Sequence, residues 1–229
     1  MFNALLMSGS IWENQWVQIG MAVVLGFAAF ALFLLTRKSA SKLSTRSIVY
    51  GGIVVALAAI LNLFKLKTGA LMGGISGSVT LLRMFPIILY AVVFGPVKGL
   101  LVAVAYGLVD MLFGLDASGG VVQVLLDYIV AFGLVGLAGL ATKSKQPYIL
   151  GTLIALAGRF SASFLSGAVF FGISAPEGMN VWLYSLLYQC VTVLPDMLLV
   201  LIVFALVQNS SSFKRLVAVM KGEETGSEA

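Results

Sequence analysis

Apolar residues run along this chain in blocks long enough to cross a bilayer. A transmembrane helix needs about 20 mostly apolar residues to span roughly 30 Å of hydrocarbon. Such blocks fall near residues 17–36, 48–64, 79–94, 99–114, 121–141, 148–172 and 183–207. The pattern therefore predicts seven helical spans. Long segments alternating at period two are missing, which argues against a membrane β-barrel. The first block has no basic segment ahead of it and is followed by Arg37 and Lys38. It reads as a retained helix, not a cleaved signal.

The polar positions between the blocks set a topology. Arg37, Lys38, Lys42 and Arg46 follow the first block, and Lys98 follows the third. Lys143 and Lys145 follow the fifth, and Lys214, Arg215 and Lys221 follow the last. All ten lie on one side, which the positive-inside rule assigns to the cytoplasm. The other side receives only Lys65 and Lys67, with Glu13, Asp116 and Glu177. The expectation is a multi-pass cell-membrane protein with its N-terminus outside and its C-terminus cytoplasmic.

Composition narrows the chemistry. Hydrophobic residues make up 60% of the chain and charged residues 10%, against about 25% charged in an average soluble domain. This fits one integral membrane bundle. The chain has no His and one Cys, Cys190. An internal disulfide is impossible, a His/Cys zinc site is nearly excluded, and Ser–His or Cys–His hydrolase machinery lacks its imidazole. No metal site and no catalytic residue is expected. The net charge of +5 follows from where Lys and Arg sit relative to the bilayer and does not point to nucleic acid.

Five charges fall inside the spans, where each costs several kcal/mol unless paired or hydrated. Arg83, Asp110 and Asp127 lie roughly 6–9 Å below the outer surface at 1.5 Å per helical residue. Such a cluster points to an outward polar cavity, or to an Arg83–Asp110 pair that ties helices together. Arg159 and Asp196 share a depth of about 16 Å, so an ion pair between the last two spans is expected. Pro195 should loosen its helix there. Aromatic and amide side chains crowd the outer ends of the last spans, among them Tyr128, Phe171, Tyr184, Tyr188 and Gln189. Aromatic faces beside a carboxylate such as Asp127 suit a flat cationic ligand. In the second block Gly52, Ala56 and Ala59 form a small-residue face that another helix can approach closely.

Three stretches resemble the substrate-binding S component of energy-coupling factor (ECF) vitamin transporters, most closely the thiamine-specific family. One runs from Phe94-Gly95-Pro96-Val97-Lys98-Gly99 to Tyr106-Gly107-Leu108-Val109-Asp110. Another is Asp127-Tyr128-Ile129-Val130-Ala131-Phe132, where that family has an acidic residue followed by Tyr-x-x-Ala-Phe. The third begins at Arg159, passes through Gly167 to Gly172 and Ala175 to Met179, and ends at Trp182-Leu183-Tyr184-Ser185. The resemblance implies an all-α integral membrane protein with a six-helix core and an outward substrate pocket. It divides the chain into an extra N-terminal transmembrane helix with a basic linker (1–46), the six-helix core (47–208) and a cytoplasmic tail (209–229). Glu223, Glu224 and Glu228 mark the acidic end of that tail.

The resemblance also implies ligand contacts at Asp127, Tyr128, Phe171, Tyr184 and Gln189. It implies docking on a transmembrane coupling subunit through Gly52, Ala56 and Ala59, with two ATPase subunits as further partners. The family usually has Glu, Trp and Asn where this chain has Asp127, Phe171 and Gln189. It has His where Ser163 stands, and often Glu where Arg83 stands. Ser163 and Arg83 are thus further candidate ligand-site residues. A cation near a pocket for a cation is unfavourable by Coulomb's law. The ligand is thiamine or a thiamine-related compound, or else another vitamin or precursor. A stand-alone secondary transporter is the other class of reading. This chain has no Gly-rich Lys-Ser/Thr phosphate loop, so ATP would be hydrolysed by the partners.

Overall fold

The computed structural model describes residues 43–67, 78–117, 120–171, 175–176 and 178–223. The apolar block at 17–36, the basic residues Arg37, Lys38 and Lys42, and Glu177 lie outside the described residues.

Helix α1 spans Thr45–Leu61 and opens on a capping box in which Ser44 and Ser47 satisfy each other's backbone N–H. Its inner stripe is Ser47, Gly51, Val54 and Ala58, at the three- and four-residue spacing of one helix face. The Tyr90 hydroxyl donates to the Ser47 carbonyl at 2.8 Å. After α1 comes a short antiparallel ribbon, β1 (Lys65–Lys67) with β2 (Ser78–Thr80), in the register Leu66 opposite Val79. The sequence pattern predicted helix from residue 79. Instead the helix starts at Phe85, with a proline in its first turn. Proline is suited to that position and cannot donate deeper in a helix. The residues ahead of it are left to pair as a strand.

Helix α2 (Phe85–Phe94) is buried from Pro86 to Val93, as expected of a helix that is apolar all round. It is the centre of the bundle. Gly95, at φ 91°, turns the chain directly into α3 (Pro96–Asp110). The next helical run, α4, spans Gly120–Lys143. It leaves α winding twice, for π over Leu125–Val130 and for 3-10 over Gly136–Lys143, with an α segment at Ala131–Val135 between them. Glycines let α3 and α4 touch: a Cβ on Gly136 would meet the Leu100 backbone nitrogen, and one on Gly139 the Pro96 nitrogen.

Helix α5 is Pro147–Phe170. The last apolar block is broken at Val193 into α6 (Val181–Thr192) and α7 (Leu194–Val207), with Pro195 in the first turn of α7. A final helix, α8 (Ser211–Lys221), occupies the segment expected to be tail. Ser210 accepts from the Phe213 N–H at 3.2 Å to start it, and Gly222 at φ 83° ends it.

Among the described residues, Pro96–Phe113, α4, α5 and Val181–Val207 are long and apolar enough to cross a membrane, and α1 and α2 are shorter apolar helices. Ile53 (54% exposed) and Ile202 (56%) stand on outer faces with many other large apolar side chains. In water such a surface would aggregate; in a bilayer it is the lipid-facing surface. Apart from the β1–β2 ribbon, the described architecture is all-α, as expected.

Candidate ligand-binding cavity

A cavity of about 400 Å³ lies among α3 to α6, Val193 and the β2 to α2 segment, within the size range of small-molecule sites. All seven residues singled out from the sequence line it: Arg83, Asp127, Tyr128, Ser163, Phe171, Tyr184 and Gln189.

Asp127 and Tyr128 both sit in the π segment of α4. A π turn shifts side-chain directions relative to an α-helix and is frequent at functional sites. The Asp127 carboxylate accepts from Gln123 Nε2 at 2.8 Å. The Tyr128 hydroxyl donates to the Gly114 carbonyl at 2.9 Å and accepts from the Asp116 N–H at 3.1 Å, tying the α3–α4 loop to the cavity rim. Behind Tyr128, α3 presents Gly107, and a Cβ there would run into the Tyr128 carbonyl oxygen. Gly107→Ala is therefore expected to destabilise the protein by about 1–3 kcal/mol through overpacking. Thermal unfolding in detergent tests this, and an unchanged midpoint would mean that the π turn yields freely.

The opposite wall is α5 against α6. Their approach depends on Gly167, where a Cβ would meet Ser185 Oγ. Ser185 in turn donates to the Phe164 carbonyl at 2.7 Å. Gln189 Nε2 donates to the Ser163 carbonyl at 3.1 Å, so these two candidate residues are neighbours. Tyr184 and Tyr188 hold their ring centres 6.3 Å apart. Phe171 caps the end of α5.

Arg83 is not a loose cation. It lies 3.2 Å from Asp110 and donates to Asn62 Oδ1 at 3.0 Å. Asn62 Nδ2 and the Tyr106 hydroxyl donate to the same Asp110 oxygen at 2.9 and 3.2 Å. This network joins the ends of α1 and α3 to the start of α2. It also neutralises the charge that stood against a cationic ligand.

The expected Arg159–Asp196 ion pair does not form; among the described residues Arg83–Asp110 and Lys221–Glu223 are the salt bridges. Arg159 instead lies over the Phe132 ring, 4.0 Å from its centre, and Arg83 lies over the same ring at 5.2 Å. Asp196 accepts from Thr80 at 3.3 Å. Sequence depth supplies one coordinate only. The break at Val193 turns the start of α7 toward β2, while α5 directs Arg159 into the cavity.

Gln123, Phe132 and Arg159 also line the cavity and were not anticipated as site residues. Two carried a signal, because Gln123 and Arg159 stand four residues before Asp127 and Ser163, on the same helix faces. The cavity lining holds Arg83 and Arg159 against Asp110, Asp116 and Asp127. Three carboxylates against two guanidiniums leave it one negative charge in excess. No group of three His, Cys, Asp or Glu side chains among the described residues could hold a metal ion.

The small-residue face of α1 is divided. Gly52 and Ala56 are exposed, and a Cβ on Gly52 would meet nothing within 4 Å among the described residues. Ala59 is half-buried and packs against the core.

Fold and cavity define a multi-pass membrane protein that encloses a cavity of small-molecule size. A family model described as thiamine transporter protein matches residues 48–215. The thiamine transporter ThiT of Bacillus subtilis is 36% identical over 143 residues, covering 57% of this chain and 74% of that protein. ThiT of Lacticaseibacillus paracasei is 32% identical over 120 residues, covering 45% and 60%. A solved structure of ThiT from Listeria monocytogenes shares the fold, with a TM-score of 0.59 at 20% identity over 75% of this chain and 96% of that one. The chain belongs to the thiamine transporter family, which is a family of transporters and not of enzymes.

Proposed function

We propose that this chain is the substrate-binding S component of an ATP-driven ECF importer, and that its ligand is thiamine or a close relative. The observation that carries the reading is the cavity. A carboxylate on a π turn, Asp127, faces an aromatic and amide wall of Phe171, Tyr184, Tyr188 and Gln189 across a space of about 400 Å³. A planar cation gains stacking and charge pairing there. The named relatives are thiamine transporters, which supports the choice of cation. ATP hydrolysis would belong to two ATPase subunits acting through a transmembrane coupling subunit. Reconstitution tests this directly. Uptake of labelled thiamine should require ATP and the coupling subunits; uptake by this chain alone would make it a secondary transporter.

The proposed orientation has the α3–α4 loop outside and the α4–α5 turn in the cytoplasm. Lys143 and Lys145 lie at that turn, as the positive-inside rule requires. In a variant lacking Cys190, a membrane-impermeant thiol reagent should label Ala117→Cys on intact cells. Ser144→Cys should react only after permeabilisation. The reverse pattern would overturn the orientation.

A further inference from the structure

Helix α8 has no part in the cavity, and the family match ends at residue 215, inside it. It starts after a three-residue link from the end of α7 at Val207. Such a link reaches about 10 Å, so α8 stays at the membrane surface. The helix is pinned there. Phe213 packs edge-on to Tyr148 at 5.0 Å and Met220 is buried. At its far end the Arg46 side chain lies against Gly222.

One flank of α8 is uncovered and apolar: Leu216 is 47% and Val219 48% exposed. Arg215 borders that flank, and Lys214 and Lys221 lie on the other, by the 3.6-residue period. A helix of 11 residues with three cations cannot enter hydrocarbon. A helix pinned to the bundle end cannot leave the surface either. An in-plane helix with an apolar flank and basic neighbours complements a negatively charged headgroup layer.

We propose that α8 is an interfacial anchor that seats this end of the bundle in an anionic lipid surface. Leu216 and Val219 enter the boundary between headgroups and acyl chains; Lys214 and Arg215 attract anionic headgroups, with Lys221 adding less because Glu223 lies 3.9 Å from it. This does not depend on which ligand the cavity takes.

The test uses the full chain without Cys190, in nanodiscs of phosphatidylcholine with or without phosphatidylglycerol. A bimane label is placed at Leu216→Cys, Val219→Cys or Lys214→Cys and quenched by brominated acyl chains. Quenching at 216 and 219 should exceed that at 214 by roughly twofold or more. Phosphatidylglycerol should deepen it. The Lys214→Gln/Arg215→Gln/Lys221→Gln variant should lose the phosphatidylglycerol effect while keeping its fold. Equal quenching at all three positions would overturn the proposal. So would protection of 216 and 219 from lipid on adding the coupling subunits, which would assign the flank to a protein partner.

Discussion

Asp127→Asn is expected to bind thiamine about ten- to a hundredfold more weakly than the unaltered chain. A charge-assisted contact in a sheltered site is worth about 1.5–3 kcal/mol, which converts to that range of affinity. The asparagine keeps the size of the side chain and can still accept from Gln123, which donates at 2.8 Å. The π turn should therefore survive, and only the charge is lost. The cavity starts with three carboxylates against two guanidiniums, so losing one leaves it neutral. Arg83 does not compete for Asp127, because Asp110 already holds it at 3.2 Å. A neutral analogue without the positive ring should bind the variant and the parent alike. Calorimetric titration in detergent measures both ligands. A loss of less than about threefold for thiamine would remove Asp127 from the charge-pairing role.

Gly52→Leu and Ala56→Leu should each abolish transport and leave thiamine binding intact. Both positions face outward from α1 among the described residues, and a Cβ at Gly52 would meet none of them within 4 Å. Added bulk there cannot disturb the cavity, but it would keep a coupling subunit from approaching closely. Gly51 supplies the contrast one residue away. A Cβ on Gly51 would meet Val102 at 3.0 Å and the Tyr90 hydroxyl at 3.5 Å. Gly51→Leu should therefore lower thermal stability as well as transport. Normal uptake by Gly52→Leu in the presence of the coupling subunits would make this face a lipid-facing surface and nothing more.

The sequence candidates that line the cavity share one property: their signal is local. Asp127-Tyr128 is a dipeptide at a shallow depth, and Phe171, Tyr184 and Gln189 sit near the ends of apolar blocks. All of them reached the cavity wall. Arg83 was ambiguous from sequence, because a cation near a cation site and a structural ion pair look alike until Asn62 and Asp110 are seen around it. Arg159 was misread because its depth matched that of Asp196 and nothing in the sequence fixed its direction.

By itself the sequence determined that the chain is an apolar helical membrane protein and pointed to the short polar and aromatic segments that line its cavity. These follow from the cost of placing polar groups in hydrocarbon, which acts on each stretch independently of the rest. Only the tertiary structure decided the winding of α4, the ribbon at 65–67 and 78–80, the helix at 211–221 and the partners of the buried charges. Each depends on which helix faces which. α3 meets α4 through Gly99, Gly107, Gly136 and Gly139, and at Gly107 it lies against the Tyr128 carbonyl inside the π turn that carries Asp127. Such contact joins residues far apart in the chain, and no local pattern records it.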